Sequence, residues 1–310
     1  MAKILITGGA GFIGSHVADG YLACGHEVVV VDDLSTGHRR NLPDRARFYE
    51  ADLTDGDELA LILQSEKPEI VNHHAAQKSV RMSVEDPAED ARINIIGSLR
   101  LLELSRRVGV RKVLFSSTGG AIYGEATQIP TPEEYPAWPV SPYGVAKLSV
   151  EHYLFYYAEQ FGLPSVVLRY ANVYGPRQDP HGEAGVVAIF GERLLAGQET
   201  VIYGDGEQTR DYVYVADLVR ANVAALGDAV RGTFNIGTGV ETTVNELYRQ
   251  LLAVMGQERP ARAAPPRAGE QRRSAVDIRK AAREMDWRPE VTLREGLART
   301  VAYFKQAMSH

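Results

Sequence analysis

Tyr143 and Lys147 stand four residues apart in Tyr-Gly-Val-Ala-Lys, directly after Pro142. On a helix that spacing puts both side chains on one face, and a proline suits the first turn. A free tyrosine, with a pKa of about 10, is a poor base at neutral pH. A neighbouring ammonium and the positive end of a helix favour the phenolate, so the pair is expected to lower the phenol's pKa. Such a phenol can take a proton from an alcohol while hydride leaves the same carbon. The same spacing also arises as an ordinary surface pair, so it needs company. Ser116, Ser117 and Thr118 supply it, closing an apolar run and leading into Gly119-Gly120. Thr118 can hydrogen-bond a reacting hydroxyl and then the carbonyl oxygen that replaces it; Ser116 and Ser117 can equally satisfy a turn. A Ser-His-Asp hydrolase is disfavoured, because no Gly-x-Ser-x-Gly elbow is present.

A second group of residues has the chemistry of phosphate binding. Gly8, Gly11 and Gly14 recur every third residue in Thr-Gly-Gly-Ala-Gly-Phe-Ile-Gly, after an apolar strand and at the start of a helical pattern. Glycine permits the tight turn and lets the backbone approach a pyrophosphate, which the helix N-terminus then faces. Asp32 closes the next strand, 18 residues after Gly14. A carboxylate there accepts from both adenosine ribose hydroxyls and repels a 2′-phosphate, which favours NAD over NADP. Arg39 and Arg40 follow a further turn and are read as solvated. Asp52-Leu53 ends the third strand, within reach of an adenine edge. Ala75-Ala76-Gln77 ends the fourth, small enough to let the chain pass near a cofactor. His73 and His74 make a poor metal pair, since neighbours on a strand point to opposite faces; a packed or hydrogen-bonded role is expected, and no metal.

Those residues need a scaffold that brings strand ends together. Lys3 to Thr7, Glu27 to Asp32, Arg47 to Glu50, Ile70 to His74, Lys112 to Ser116 and Ser165 to Arg169 read as buried strands without strict alternation. Amphipathic stretches lie between them at Phe12 to Ala23, Gly56 to Ser65, Asp90 to Arg107 and Tyr143 to Phe161. This alternation predicts an α/β fold, a Rossmann-type doubly wound parallel sheet. The second half is less regular, with helices at Glu183 to Ala196, Ala216 to Leu226 and Val244 to Met255. It reads as a smaller mixed α/β substrate domain interleaved with the first. The division expected is 1–172 plus about 209–258 for the cofactor half, and about 173–208 plus 259–310 for the other.

Composition agrees with an ordinary globular protein. The 310 residues are 45% hydrophobic and 24% charged, which excludes a disordered or collagenous chain and a small disulfide scaffold. A formal charge of −6 argues against a surface that coats nucleic acid. Cys24 is the single cysteine, so no internal disulfide or cysteine-rich metal site forms, and a reducing cytoplasm suits the chain. No apolar stretch approaches the roughly 18 residues of a membrane span.

Taken in order, the motifs resemble the extended short-chain dehydrogenase/reductase family, in its branch of nucleotide-sugar 4-epimerases. The resemblance rests on the opening glycine motif, SSTGGAIYG (116–124), SPYGVAK (141–147), LRYANVYGPR (168–177), QTRDYVYV (208–215) and NIGTG (235–239). It implies tightly held NAD that is used and regenerated within each turnover of a UDP-hexose (UDP-glucose or UDP-galactose). Tyr143 is then expected to deprotonate the sugar 4-hydroxyl, and Lys147 to bond the nicotinamide ribose. Phe12, Ile13, Asp33, Ser35, Thr36, Gly37, Lys78, Asn94 and Tyr170 join the cofactor site. Asn172, Tyr203, Arg210, Arg267, Glu270 and Ser274 form the UDP-sugar side. One residue more than the family pattern stands between Thr118 and Tyr123, which leaves Ser117 as the alternative source of the active hydroxyl. Ser274 falls where a large residue excludes 2-substituted sugars, so UDP-GlcNAc/UDP-GalNAc is the alternative substrate pair. A 4,6-dehydratase would place Asp-Glu after the active threonine, and Gly119-Gly120 stands there instead. The helices 90–107 and 143–161, apolar at Leu99, Leu101, Leu102, Tyr153, Leu154 and Tyr157, are expected to pair across a two-fold axis into a four-helix homodimer interface; burial within one chain is the other reading.

Overall fold

The computed structural model describes residues 1–181, 185–266 and 271–308. Runs of β-branched residues such as Val28–Val31 form the strands of a central sheet. In chain order these are β1 (Lys3–Thr7), β2 (Glu27–Asp32), β3 (Arg47–Glu50), β4 (Ile70–His73), β5 (Lys112–Thr118) and β6 (Ser165–Tyr170). Short strands follow: β7 (Asn172–Tyr174), β8 (Val201–Tyr203), β9 (Thr209–Arg210), β10 (Tyr212–Tyr214), β11 (Gly232–Ile236), β12 (Thr242–Thr243) and β13 (Arg262–Ala264). Seven of them build one parallel sheet in the order β11-β6-β5-β4-β1-β2-β3. The remaining strands pair two by two, β7 with β10, β9 with β12 and β8 with β13.

The helices are α1 (Phe12–Ala23), α2 (Gly56–Glu66), α3 (Val80–Glu85), α4 (Pro87–Ala91), α5 (Ser98–Val108) and α6 (Pro142–Phe161). The second half adds α7 (Val186–Leu195), α8 (Val215–Ala225), α9 (Val244–Met255), α10 (Arg279–Glu284) and α11 (Leu293–Met308). Alternate strand residues feed opposite layers. Ile4 and Ile6 pack with Val17 and Tyr21 of α1 and Leu218 of α8. Leu5 and Val71 pack with Leu59 and Leu63 of α2, Leu101 of α5, and Val150 and Leu154 of α6. Burying each such aliphatic side chain contributes roughly 1.5–3 kcal/mol, and this two-sided burial is why the strands lack polar alternation. A third cluster, including Tyr174, Phe190, Tyr214, Leu247 and Val301, lies under the second half.

Two expectations shift. Strand β5 continues two residues past Ser116, so Thr118 is itself a strand residue. The helix read as continuous over 90–107 is instead α4, a π-helical turn (Arg92–Gly97) and α5. The side-chain amide of Asn94 explains the break: it accepts from Gln77 N at 2.9 Å and donates to Gln77 O at 2.9 Å. Widening the turn points that side chain at a neighbouring loop, a deformation typical of functional sites.

Candidate active site

In the sheet order, β1 lies between β4 and β2, so the chain leaves the C-terminal ends of β1 and β4 toward opposite sides and opens a crevice there. The loop after β1 makes the floor. Gly8 has φ +70°, and a Cβ on it would stand 2.5 Å from Ala75 N, so the loops after β1 and β4 touch at this point. A Cβ on Gly14 would overlap Gly8 O. Gly11, which caps α1, meets nothing but Gly8 O on its Cβ side. The cradle therefore closes tightly underneath and stays open above the N-terminus of α1, the shape a pyrophosphate needs. Phe12 and Ile13 start α1, with Ile13 packed against the sheet layer and Phe12 against the aromatic cluster of Tyr174 and Tyr214, which leaves their backbones toward the crevice.

Asp32 ends β2 and is buried, its two oxygens accepting from Ala10 N and Leu34 N, each at 2.9 Å. Burial pushes its carboxyl above the usual range, against the pull of those two N–H groups. An oxygen with one N–H bond keeps a second lone pair for a ribose hydroxyl. Asp33 caps the following turn by accepting from Ser35 N and Oγ; Ser35 and Thr36 are exposed, and Gly37 is buried. Arg39 pairs with Glu50 at 2.7 Å and lies over Phe48, yet its side chain stays 66% exposed, so it is a solvated surface group leaning on β3. Asp52 is exposed and accepts from Thr54 N, while Leu53 is buried in the α2 layer.

Beyond β4, Ala75, Ala76 and Gln77 are half-buried and Lys78 is exposed. Hydrogen bonds give this loop a fixed direction. Ala75 N donates to Thr7 Oγ1, Thr7 Oγ1 pairs with His73 Nδ1 at 2.7 Å, His73 Nε2 pairs with Ser98 Oγ at 2.8 Å, and Ser98 Oγ donates to Asn94 O. Because an amide must donate at one end and a carbonyl accept at the other, His73 carries its proton on Nε2 and is neutral; burial holds its pKa well below the ordinary value. His73 thus serves the hydrogen-bonded role expected of it, and His74 stacks on Tyr170. The buried Asp90, 2% exposed, accepts at Oδ1 from Gln77 Nε2 and Asn94 Nδ2. Sequence reading passed over Asp90; its position four residues before Asn94, on the same helix face, was the available signal.

Tyr143 and Lys147 sit on the first turns of α6, whose N-cap Ser141 accepts from Gly144 N. Lys147, 4% exposed, donates from Nζ to Ser116 O at 3.0 Å, 4.8 Å from the Phe115 ring and 5.9 Å from the Tyr143 ring centre. The expected lowering of the phenol is corrected here. Tyr143 is pushed up to about 12, first by burial and second by the Asp90 charge. Lys147 is lowered to about 8, because burial outweighs Asp90 and Glu151. The loss of water costs each group its charged form, and an ammonium turned toward a carbonyl does not repay it. The choice between Ser117 and Thr118 is narrowed by pleat. Ser117 Oγ points to the opposite face and donates to Glu151 Oε1 at 2.5 Å, whereas Thr118 Oγ1 is half-exposed and accepts from Ala121 N at 3.2 Å. Tyr170 ends β6 with its ring buried and its hydroxyl accepting from Asn222 Nδ2, which leaves its backbone for the cofactor contact expected there.

On the far side of the crevice, Asn172 is exposed at the start of β7, with its Oδ1 3.8 Å from where a Gly120 Cβ would be. Tyr203 ends β8, its carbonyl accepting from Gln208 Nε2. Arg210 is half-buried and donates from Nη1 to Thr209 O and Gln271 O. Ser274 is 8% exposed, between Arg273 and the buried Ala275 and Val276. Arg272 and Arg273 are each held by a carboxylate, Asp205 and Glu241 respectively. Arg267 and Glu270 lie outside the described residues. Asp211, next to Arg210 and not singled out in the sequence, accepts from Thr238 N and Oγ1 and from Gly239 N, tying the 237–239 loop to this side. Among the described residues, no cluster of three or more His, Cys, Asp or Glu side chains could hold a metal ion.

A model of the NAD dependent epimerase/dehydratase family matches residues 4–237. The UDP-glucose 4-epimerase of Mycolicibacterium smegmatis is 48% identical over 309 residues, 98% of each chain. Among solved structures, the UDP-glucose 4-epimerase of Thermotoga maritima with UDP-glucose is similar with a TM-score of 0.97 and 54% identity, covering 99% of both chains. That of Thermus thermophilus in complex with NAD has a TM-score of 0.93 and 46% identity, covering 98% of this chain and 99% of the other.

Proposed function

The chain belongs to the NAD dependent epimerase/dehydratase family, and we propose how its site works on that basis. It is an NAD-dependent 4-epimerase that interconverts UDP-glucose and UDP-galactose. The observation that carries this reading is the meeting of a glycine cradle with Thr118, Tyr143 and Lys147 at the C-terminal edge of one parallel sheet.

The cradle fits NAD: Gly8, Gly11 and Gly14 open toward the diphosphate, and Asp32 receives the adenosine ribose. Ala75, Ala76 and Gln77, held by Asn94, would pass near the cofactor, with Lys78 at its diphosphate and Asn94 on its nicotinamide side. When bound, NAD supplies the group that takes hydride from C4 and returns it to the opposite face. Tyr143 Oη takes the proton of the 4-hydroxyl and later gives it back. Thr118 Oγ1 donates to the same oxygen both as hydroxyl and as carbonyl, because the hydroxyl's one proton is directed to Tyr143. Lys147, already deprotonating near pH 8, holds the ribose and biases the neighbouring phenol when charged. Asn172, Tyr203, Arg210 and Ser274, with Arg267 and Glu270, hold the UDP-sugar; planar guanidinium forks suit its diphosphate. The two positions after Thr118 are glycines and supply no acid or base for water elimination, and at Gly119 a Cβ would lie 2.8 Å from Val276 Cγ1.

Incubating the purified protein with UDP-galactose, and in parallel UDP-GalNAc, and resolving products by proton NMR tests the reading. It requires UDP-glucose to accumulate without net consumption of NAD. An unchanged sugar, or a 4-keto product that builds up, would overturn it.

Several further readings travel with this function. We place the reaction in the cytoplasm, which the single thiol Cys24 suits; among the described residues no helix is long and apolar enough to cross a membrane. The interleaving of the two halves is supported by β11, which joins the sheet beside β6, while α9 packs with α7 and α11 and Ala281 of α10 with the sheet layer, against a boundary at 258. For the homodimer, most of the residues expected to carry it turn inward: Leu101, Leu102, Leu154 and Tyr157 are buried within one chain. An apolar face nevertheless remains, with Val145, Tyr153, Phe155 and Tyr156 of α6 and Ile96 of the π turn exposed. Pairing α5 and α6 with their copies would cover it. Light scattering at micromolar concentration should give twice the chain mass; a monomer would remove the four-helix arrangement.

A further inference from the structure

Glu151 lies one turn beyond Lys147, so that Tyr143, Lys147 and Glu151 share one face of α6. Its carboxylate is enclosed. Oε1 accepts from Ser117 Oγ at 2.5 Å and from Arg169 Nε at 3.0 Å, and Oε2 accepts from Arg169 Nη2 at 2.6 Å. The two side chains are 7% and 8% exposed. Arg169, on β6, donates from Nη1 to Tyr123 Oη at 2.9 Å and Glu133 O at 3.2 Å. Tyr123 in turn donates to Asn235 Oδ1 of β11, and Asn235 Nδ2 donates to Thr131 O and Asp277 O. Asp277 N donates to Thr131 O at 2.9 Å, three residues beyond Ser274.

A buried ion pair of this kind is weak evidence for stability, because desolvation cancels most of its attraction. Apolar residues of the same volume would hold the layers together equally well. What they would lack is direction: a bidentate guanidinium–carboxylate pair fixes distances and angles that aliphatic packing leaves free. The direction matters at one point. Ser117 immediately precedes Thr118, and in a pleated strand fixing one side chain on one face sets its neighbour on the other. Glu151 holds Ser117 from the same helix face that carries Tyr143 and Lys147.

We propose that Glu151 and Arg169 are positioning residues: through Ser117 they set Thr118 against Tyr143, and through Tyr123 and Asn235 they hold the Thr131–Asp277 segment to the same frame. The proposal rests on the epimerase reading given above. It predicts loss of turnover that does not follow loss of stability. Glu151→Leu alone strands a buried guanidinium and melts early. Glu151→Leu with Arg169→Met removes both charges and should melt within about 3 °C of the parent, yet turn over UDP-galactose about 100-fold more slowly at a similar KM, the scale that an ångström of misplacement costs. Ser117→Ala, which leaves the ion pair in place, should lose about tenfold in kcat while its melting point falls by only a few degrees. A double variant that regains kcat along with stability, or a Ser117→Ala with parental kcat, overturns the proposal. Crystals of Ser117→Ala ask the same question without turnover: Thr118 Oγ1 must move away from Tyr143 relative to the parent. An unmoved Thr118 overturns the proposal even if the parent proves inactive on UDP-hexoses, an outcome that would instead reject the epimerase reading.

Discussion

Replacing Lys147 by methionine should make the cofactor-free protein more stable and inactive at once. Lys147 is 4% exposed, and its pKa falls from 10.5 to about 8 chiefly through burial. At about 1.4 kcal/mol for each tenfold change in proton affinity, that drop corresponds to about 3 kcal/mol. Between pH 8 and 10.5 the unfolded chain still holds the lysine proton while the folded chain has lost it, so stability rises with pH through that window. Below pH 8 the full penalty for the buried charge is present. Methionine keeps the apolar stem against Phe115 and removes the charge, at the loss of the Nζ–Ser116 O bond, about 1 kcal/mol. The net gain at pH 7 is about 2 kcal/mol, or a melting point higher by about 4 °C for a chain of this length. By pH 10.5, where both folded proteins are neutral at this position, the gain should be gone. Thermal melts of cofactor-free parent and variant at pH 7 and pH 10, with turnover on UDP-galactose alongside, measure this. A variant that melts below the parent at pH 7, or a gain independent of pH, would refute the assigned charge state of Lys147.

Tyr143→Phe should cut kcat by roughly 10²–10⁴ while melting point and NAD content stay near parental, since only the proton-transfer group is lost; retained turnover in a coupled assay would remove the role given to Tyr143. Gly14→Ala drives a methyl into Gly8 O, so the protein should purify without NAD absorbance and melt several degrees lower; a normal NAD content would mean the cradle does not hold the diphosphate. Asp90→Asn removes the negative charge that raises the phenol, so the rising limb of the pH–rate profile should move to lower pH. An upward shift would contradict the sign of that interaction.

Much of this was written plainly in the chain. The strand starts, the ends of α1 and α9, the glycine cradle and the helical placing of Tyr143 and Lys147 follow from apolar runs, glycine spacing and the proline at 142. The π turn was not legible, because Arg92 to Gly97 has a composition that continues a helix; the deformation comes from Asn94 pairing with a backbone 17 residues away. The raised pKa of the phenol is not legible for a related reason. Sequence spacing shows the lysine four residues on, but not the burial of both groups, nor Asp90, which arrives from 53 residues upstream. Ser117 and Thr118 were interchangeable by residue type and are separated by strand β5 running on to Thr118, whose pleat assigns them to opposite faces.

The most direct test of the central claim is a crystal structure holding NAD and a UDP-hexose together. The account requires the sugar's 4-oxygen within about 3 Å of both Tyr143 Oη and Thr118 Oγ1, with Lys147 on the ribose of the cofactor. A hexose bound with that oxygen beyond reach of both hydroxyls would contradict it.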